Sequence, residues 1–140
     1  MLVNEVAPST MMEPDEILGL YYKALYSGDL SLVKDLMTLE SYLMTLETFG
    51  LRLSFRDSEF KARLKEAEEN ATSLAEVENK LSQDLISRKL SPKIEIKSQE
   101  WNGTERQTIK YTEDEKSKKL YFSKEEDGWK INYYAGRKVD

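Results

Sequence analysis

The stretch SKEEDGWKINYYAG, residues 123–136, places Trp129 directly after the charged run Glu125-Glu126-Asp127-Gly128. Acidic residues closing on glycine read as the loop of a hairpin, and the residues beyond it alternate with period two. Trp129, Ile131 and Tyr133 then share one face, while Lys130, Asn132 and Tyr134 share the other. Leu120 and Phe122 on the preceding strand are expected on the face of Trp129. The tryptophan thus stands beside a turn, closing a core that other elements must cover.

Upstream the same period extends the sheet. After Ser91-Pro92, Ile94 and Ile96 alternate with Lys93, Glu95 and Lys97. Asn102-Gly103 is a strong hairpin signal, because both residues tolerate positive φ. The spacing predicts a second strand over residues 104–112, a third over 118–124 and a fourth from Trp129 to about Ala135. The C-terminal third therefore reads as an antiparallel sheet of about four strands.

The remainder reads as helix. Pro14 suits a first turn, Asp15 and Glu16 complement the dipole there, and Ile17, Leu20, Tyr21 and Ala24 fall on one face. Ser27-Gly28-Asp29 reads as a tight corner, with glycine ending one helix and aspartate capping the next. Leu32, Val33, Leu36, Met37, Leu43 and Met44 mark a second helix, expected to end or bend at Gly50. The tetrad MTLE occurs twice within it, at residues 37–40 and 44–47, as one recurring helical face. Asp57 and Ser58 can cap a third, long helix over residues 57–89. Its stripe of Phe60, Leu64, Ala67, Ala71, Leu74, Leu81 and Leu85, broken by Glu78, fits an amphipathic helix lying on the sheet, with a coiled-coil seam as the alternative. Residues 1–12 carry no periodicity and read as a flexible arm, leaving 13–140 as one domain of α+β class with about three N-terminal helices.

Composition limits the chemistry. Twenty-six acidic against 21 basic residues give a formal charge of −5 over 140 residues, which argues against a dedicated nucleic-acid binder. The chain has no cysteine and no histidine, so thiolate chemistry, Cys- or His-ligated metals and the commonest general base are excluded. Only hard oxygen ligands remain, and no loop has calcium-site spacing; the six glycines are scattered rather than gathered in a phosphate loop. No cofactor is expected. The start, MLVNEVAPSTMMEPDE, lacks the pattern of a signal peptide, and no run of 18 apolar residues occurs, so a cytoplasmic protein without membrane contact is the expectation.

Two segments resemble a known family. YYKALYSGDLSLVKDLM, residues 21–37, resembles the helix-corner-helix opening of the nuclear transport factor 2-like superfamily. LYFSKEEDGWKINYY, residues 120–134, is similar to the final hairpin of many small bacterial members. The resemblance implies a cone in which a curved sheet wraps around helices and leaves an apolar pocket, often within a homodimer joined through the sheets. On that reading Tyr21, Ile17, Ala24, Met37, Phe122, Trp129, Ile131 and Tyr133 line the pocket. Tyr21 takes the place of the tyrosine that donates to the reacting oxygen in the ketosteroid isomerases of the superfamily. Their catalytic aspartate has no counterpart, since Thr45 stands near the expected place and no catalytic residue is assigned.

Three functions follow as expectations. A non-catalytic pocket or interaction domain, binding a small apolar or aromatic ligand, is the leading one. A partner-binding module using the long helix 57–89 is the first alternative. An isomerase- or lyase-type enzyme with Tyr21 and a buried carboxylate is the second.

Overall fold

The computed structural model describes residues 12–136. The flexible arm expected at residues 1–12 therefore lies outside the described residues, except for Met12, which packs against the core. Helix α1 (Pro14–Tyr26) begins with the Glu16 carboxylate accepting from the Glu13 amide, 3.3 Å away. It ends at Gly28, whose φ of +77° turns the chain. A Cβ there would stand 2.7 Å from the Ile86 side chain, so glycine is needed for both conformation and contact. Asp29 caps helix α2 (Leu30–Asp35) by accepting from the Leu32 amide.

The second predicted helix is in fact two. Thr38 breaks it by capping α3 (Leu39–Arg56), its hydroxyl accepting from the Ser41 amide. Gly50 does not end α3 but lies inside it. A Cβ at Gly50 would stand 3.1 Å from the Phe60 ring, so this glycine allows two helices to approach.

The predicted long helix is likewise divided, into α4 (Ser58–Glu66) and α5 (Ala71–Arg88). Asp57 caps α4 by accepting from the Glu59 and Phe60 amides. The Phe60 amide, and then the Lys80 ammonium, hold its carboxyl below the ordinary value. Asn70 caps α5 by accepting from the Thr72 and Ser73 amides. The predicted stripe is buried at Phe60, Ala67, Leu81 and Leu85, joined by Val77, and half-buried at Leu64 and Leu74, whereas Ala71 is exposed; the main packing partners of the two helices are each other and α3, with α5 also against α1.

The sheet follows the order β1 (Ile94–Trp101), β2 (Arg106–Glu113), β3 (Lys116–Glu125), β4 (Gly128–Ile131), antiparallel throughout. Helices first and strands last make an α+β layout. The turns fall where turn chemistry allows: Gly103, Asp114, Glu115 and Gly128 all take positive φ. Strand β4 is shorter than predicted, and Asn132 to Gly136 form a turn beyond it.

One face of the sheet closes the core. Ile109 pairs with Leu120 and Phe122 with Ile131, and all four are buried against Ile17, Leu18, Tyr21 and Leu25 of α1. Among the described residues no helix is long and apolar enough to cross a membrane.

Candidate functional site

The expected pocket-lining set is brought together, but as packed core. Ile17, Ala24, Met37, Phe122, Trp129 and Ile131 are buried, as is Tyr21, and Tyr133 packs against them. The Tyr21 hydroxyl meets that of Tyr133 at 3.3 Å, and Tyr133 meets the Thr45 hydroxyl at 2.8 Å. Thr45 also donates to the Ser41 carbonyl, and the Ser41 hydroxyl accepts from the Tyr133 amide. Tyr133 is therefore fixed in the turn after β4 by hydrogen bonds to α3.

Burial, and then the neighbouring Tyr133, push the Tyr21 phenol well above its ordinary value. Such a group remains a neutral donor or acceptor. Its partners among the described residues are hydroxyls, not a carboxylate, so the acid-base pair that an isomerase would need is missing at this point.

The tyrosine with a carboxylate beside it is the next one. Tyr22 donates to Glu113 at 2.7 Å and meets the Tyr111 hydroxyl at 2.7 Å. Lys118 holds the same carboxylate at 2.9 Å. Burial raises the Tyr22 phenol above its ordinary value, followed by the hydrogen bonds with Tyr111 and Glu113. This group ties α1 to β2 and β3. No cluster of three or more acidic residues that could hold a metal occurs among the described residues.

A different arrangement lies at the β1 side. Strict alternation from Ile94 and Ile96 would turn Ser98 and Glu100 inward and Trp101 outward. The register instead shifts at Lys97: Ile96 pairs with Tyr111, but Ser98 pairs with Lys110. This bulge reverses the strand's faces and brings Trp101 to the inward side, opposite Gln107. Trp101 and Trp129 approach from the two outer strands until their ring centroids are 5.6 Å apart, edge to face. Trp101 is 61% exposed, whereas Trp129 beneath it is only 6% exposed.

Gln107 lies on the same face, with Trp101 and Phe122 as its cross-strand neighbours. It is 4% exposed, and its Oε1 has no hydrogen-bond partner among the described residues. A buried carbonyl oxygen without a donor is uncommon, and leaving it so costs about 1–3 kcal/mol. Two indoles packed edge to face and a buried acceptor thus share one face of the sheet. Sequence reading placed Trp129 here but missed Trp101 and Gln107, which only the bulge brings together.

No family model, curated protein or solved structure matches the chain.

Proposed function

We propose that the chain is a non-catalytic binding domain that holds a small aromatic ligand on the inward face of the sheet, against Trp101 and Trp129, with Gln107 Oε1 as the acceptor it uses once Trp101 gives way. The observation that carries this reading is the unpartnered Gln107 oxygen beside a largely exposed tryptophan. A flat ligand adds ring contacts worth about 0.5–1.5 kcal/mol and supplies the missing donor. Trp101, exposed and on an outer strand, can give way without disturbing the helices.

The resemblance to the nuclear transport factor 2-like superfamily belongs to the same proposal. Its support is that the helix-corner-helix opening and the closing hairpin occupy opposite ends of an α+β chain, as the resemblance implies. A sheet-to-sheet homodimer and a cytoplasmic setting come with it; sedimentation equilibrium tests the dimer.

The chain's two tryptophans both lie at the site, so the test is direct. Indole and 1-methylindole, one with a ring N–H and one without, are titrated while the two tryptophan side-chain N–H resonances are followed by NMR. Indole is expected to move both resonances to saturation, and 1-methylindole to bind about tenfold more weakly, the equivalent of one lost hydrogen bond of about 1.4 kcal/mol. Trp101→Ala is expected to remove binding. Equal affinity for the two indoles, or resonances that do not move, rejects the reading.

A further inference from the structure

The C-terminal half of α3 carries two parallel stripes. Leu51 and Phe55 form one, and Arg52 and Arg56 the other, each pair separated by four residues and so about 6 Å apart along the helix. Leu51 is 55% exposed and Phe55 81% exposed, although both are large and apolar. With Phe49 and Arg88 these four residues line a surface groove of about 570 Å³.

The charge of this groove is opposite to that of the chain. The protein carries −5 overall, yet every charged residue lining the groove is an arginine. The neighbouring carboxylate, Asp84, is already held by Arg88 through two contacts of 2.7 and 3.0 Å, while Arg52 stands 4.0 Å from it. Arg88 also donates to the Phe49 carbonyl, which fixes the groove's floor. Arg56 pairs with no carboxylate among the described residues. The helix dipole favours a cation in the last turn, which accounts for Arg56. Arg52, one turn earlier, reaches only the far side of the Asp84 carboxylate that Arg88 already holds and keeps more than half of its side chain in solvent, and neither charge accounts for Phe55 beside them.

We propose that this groove docks an acidic amphipathic helix of a partner protein. The partner's apolar residues, spaced three or four apart, would lie along Leu51 and Phe55, and its Asp or Glu residues would meet Arg52 and Arg56. Guanidinium groups bind carboxylates through paired hydrogen bonds, so an arginine stripe selects such a flank as well as attracting it. The groove is on the helical side of the molecule and its occupancy does not depend on a ligand at Trp101.

The test is a selection from a library of displayed helical peptides, followed by affinity measurement of the enriched sequences. The expected winners have an apolar stripe flanked by Asp or Glu, and their affinity falls as salt is raised. Phe55→Ala is expected to weaken them by at least about tenfold, the size of a central contact. Because Phe55 is exposed, circular dichroism should show that variant folded. The double variant Arg52→Glu, Arg56→Glu should lose the acidic winners and, in a fresh selection, enrich peptides flanked by Lys or Arg. That exchange is a result that general loss of structure cannot imitate. Enrichment of basic peptides by the unaltered protein, no enrichment at all, or winners indifferent to the double variant would overturn the proposal. So would self-association abolished by Phe55→Ala, which makes the occupant a second copy, or binding to phosphatidylserine vesicles without any peptide preference, which makes it a membrane.

Discussion

At the β4 edge the sheet is sealed. Ile131 donates its backbone amide to the Leu36 carbonyl at 2.8 Å and accepts from the Thr38 amide at 3.0 Å, so the break between α2 and α3 occupies the edge like a further strand. Lys130 adds a bond to the Asp35 carbonyl. At the β1 edge the finish is different: the strand pairs with β2 alone, bulges at Lys97, and carries Glu95, Lys97 and Glu100 among its exposed residues. A bulge and charges protect an open edge from pairing with another chain. The same bulge turns Trp101 inward, so one irregularity both guards the edge and builds the candidate site. The two indoles of the candidate site divide along the same line: Trp129, on the sealed strand, is buried, whereas Trp101, on the open one, is largely exposed.

The strongest way to break this contrast is to truncate one apolar residue on each side. Ile131→Ala removes a fully buried side chain at the sealed edge and is expected to cost about 2–5 kcal/mol. Trp101→Ala removes a larger side chain at the open edge, yet because most of its surface is in water the expected cost is below about 1 kcal/mol. Urea midpoints with unchanged slopes measure both. Similar losses for the two variants would mean that Trp101 is structural and would remove the contrast.

A smaller effect concerns the tyrosines between the two sides. Tyr22→Phe deletes the hydroxyl shared with Tyr111 and Glu113, and at neutral pH about 1–2 kcal/mol should be lost. The pH dependence has a definite sign. The Tyr22 phenol is raised in the folded protein, so the unfolded chain releases its proton first, near the ordinary value of about 10. Its contribution is complete below that pH and declines as pH rises above it. The Tyr22→Phe variant lacks this decline, so the stability difference between the two proteins should shrink between about pH 10 and 12. A constant difference across that interval would place the Tyr22 hydroxyl in an environment as wet as the unfolded chain.

What could be read from sequence follows the same division between local and distant causes. The Gly28-Asp29 corner, the Asn102-Gly103 turn and the loop before Trp129 were legible because turn geometry is set by the residues that form it. Trp129, Ile131, Leu120 and Phe122 share one face, as alternation implies, because it holds without interruption through that hairpin. Thr38 and Asn70 are good caps, but the apolar spacing continues across them and hides the breaks they make. The reason for Gly50 is the Phe60 ring of another helix, which local sequence does not show. The candidate site failed for a comparable cause. Nothing in Ile94 to Trp101 announces that Lys97 will be left over, and without that residue's displacement Trp101 belongs to the wrong face.

The smallest predicted effect tests whether the open side is held short of its own best stability. Gln107→Leu keeps the side chain's approximate size while removing a buried oxygen that has no donor among the described residues. At a satisfied glutamine the exchange would cost about 1 kcal/mol for the hydrogen bond lost. Here no bond is lost through Oε1, and Phe122 and the indole of Trp101 offer apolar neighbours, so stability should rise by about 0.5–1 kcal/mol. The same variant should bind indole and 1-methylindole equally, since the acceptor that distinguishes them is gone. A gain in stability together with a loss of discrimination marks a residue kept for its ligand rather than for the fold, as stability and function are commonly opposed at binding sites. A loss of stability would instead show that the amide is already satisfied, and the Trp101 side would then be as fully committed to structure as the sealed edge opposite.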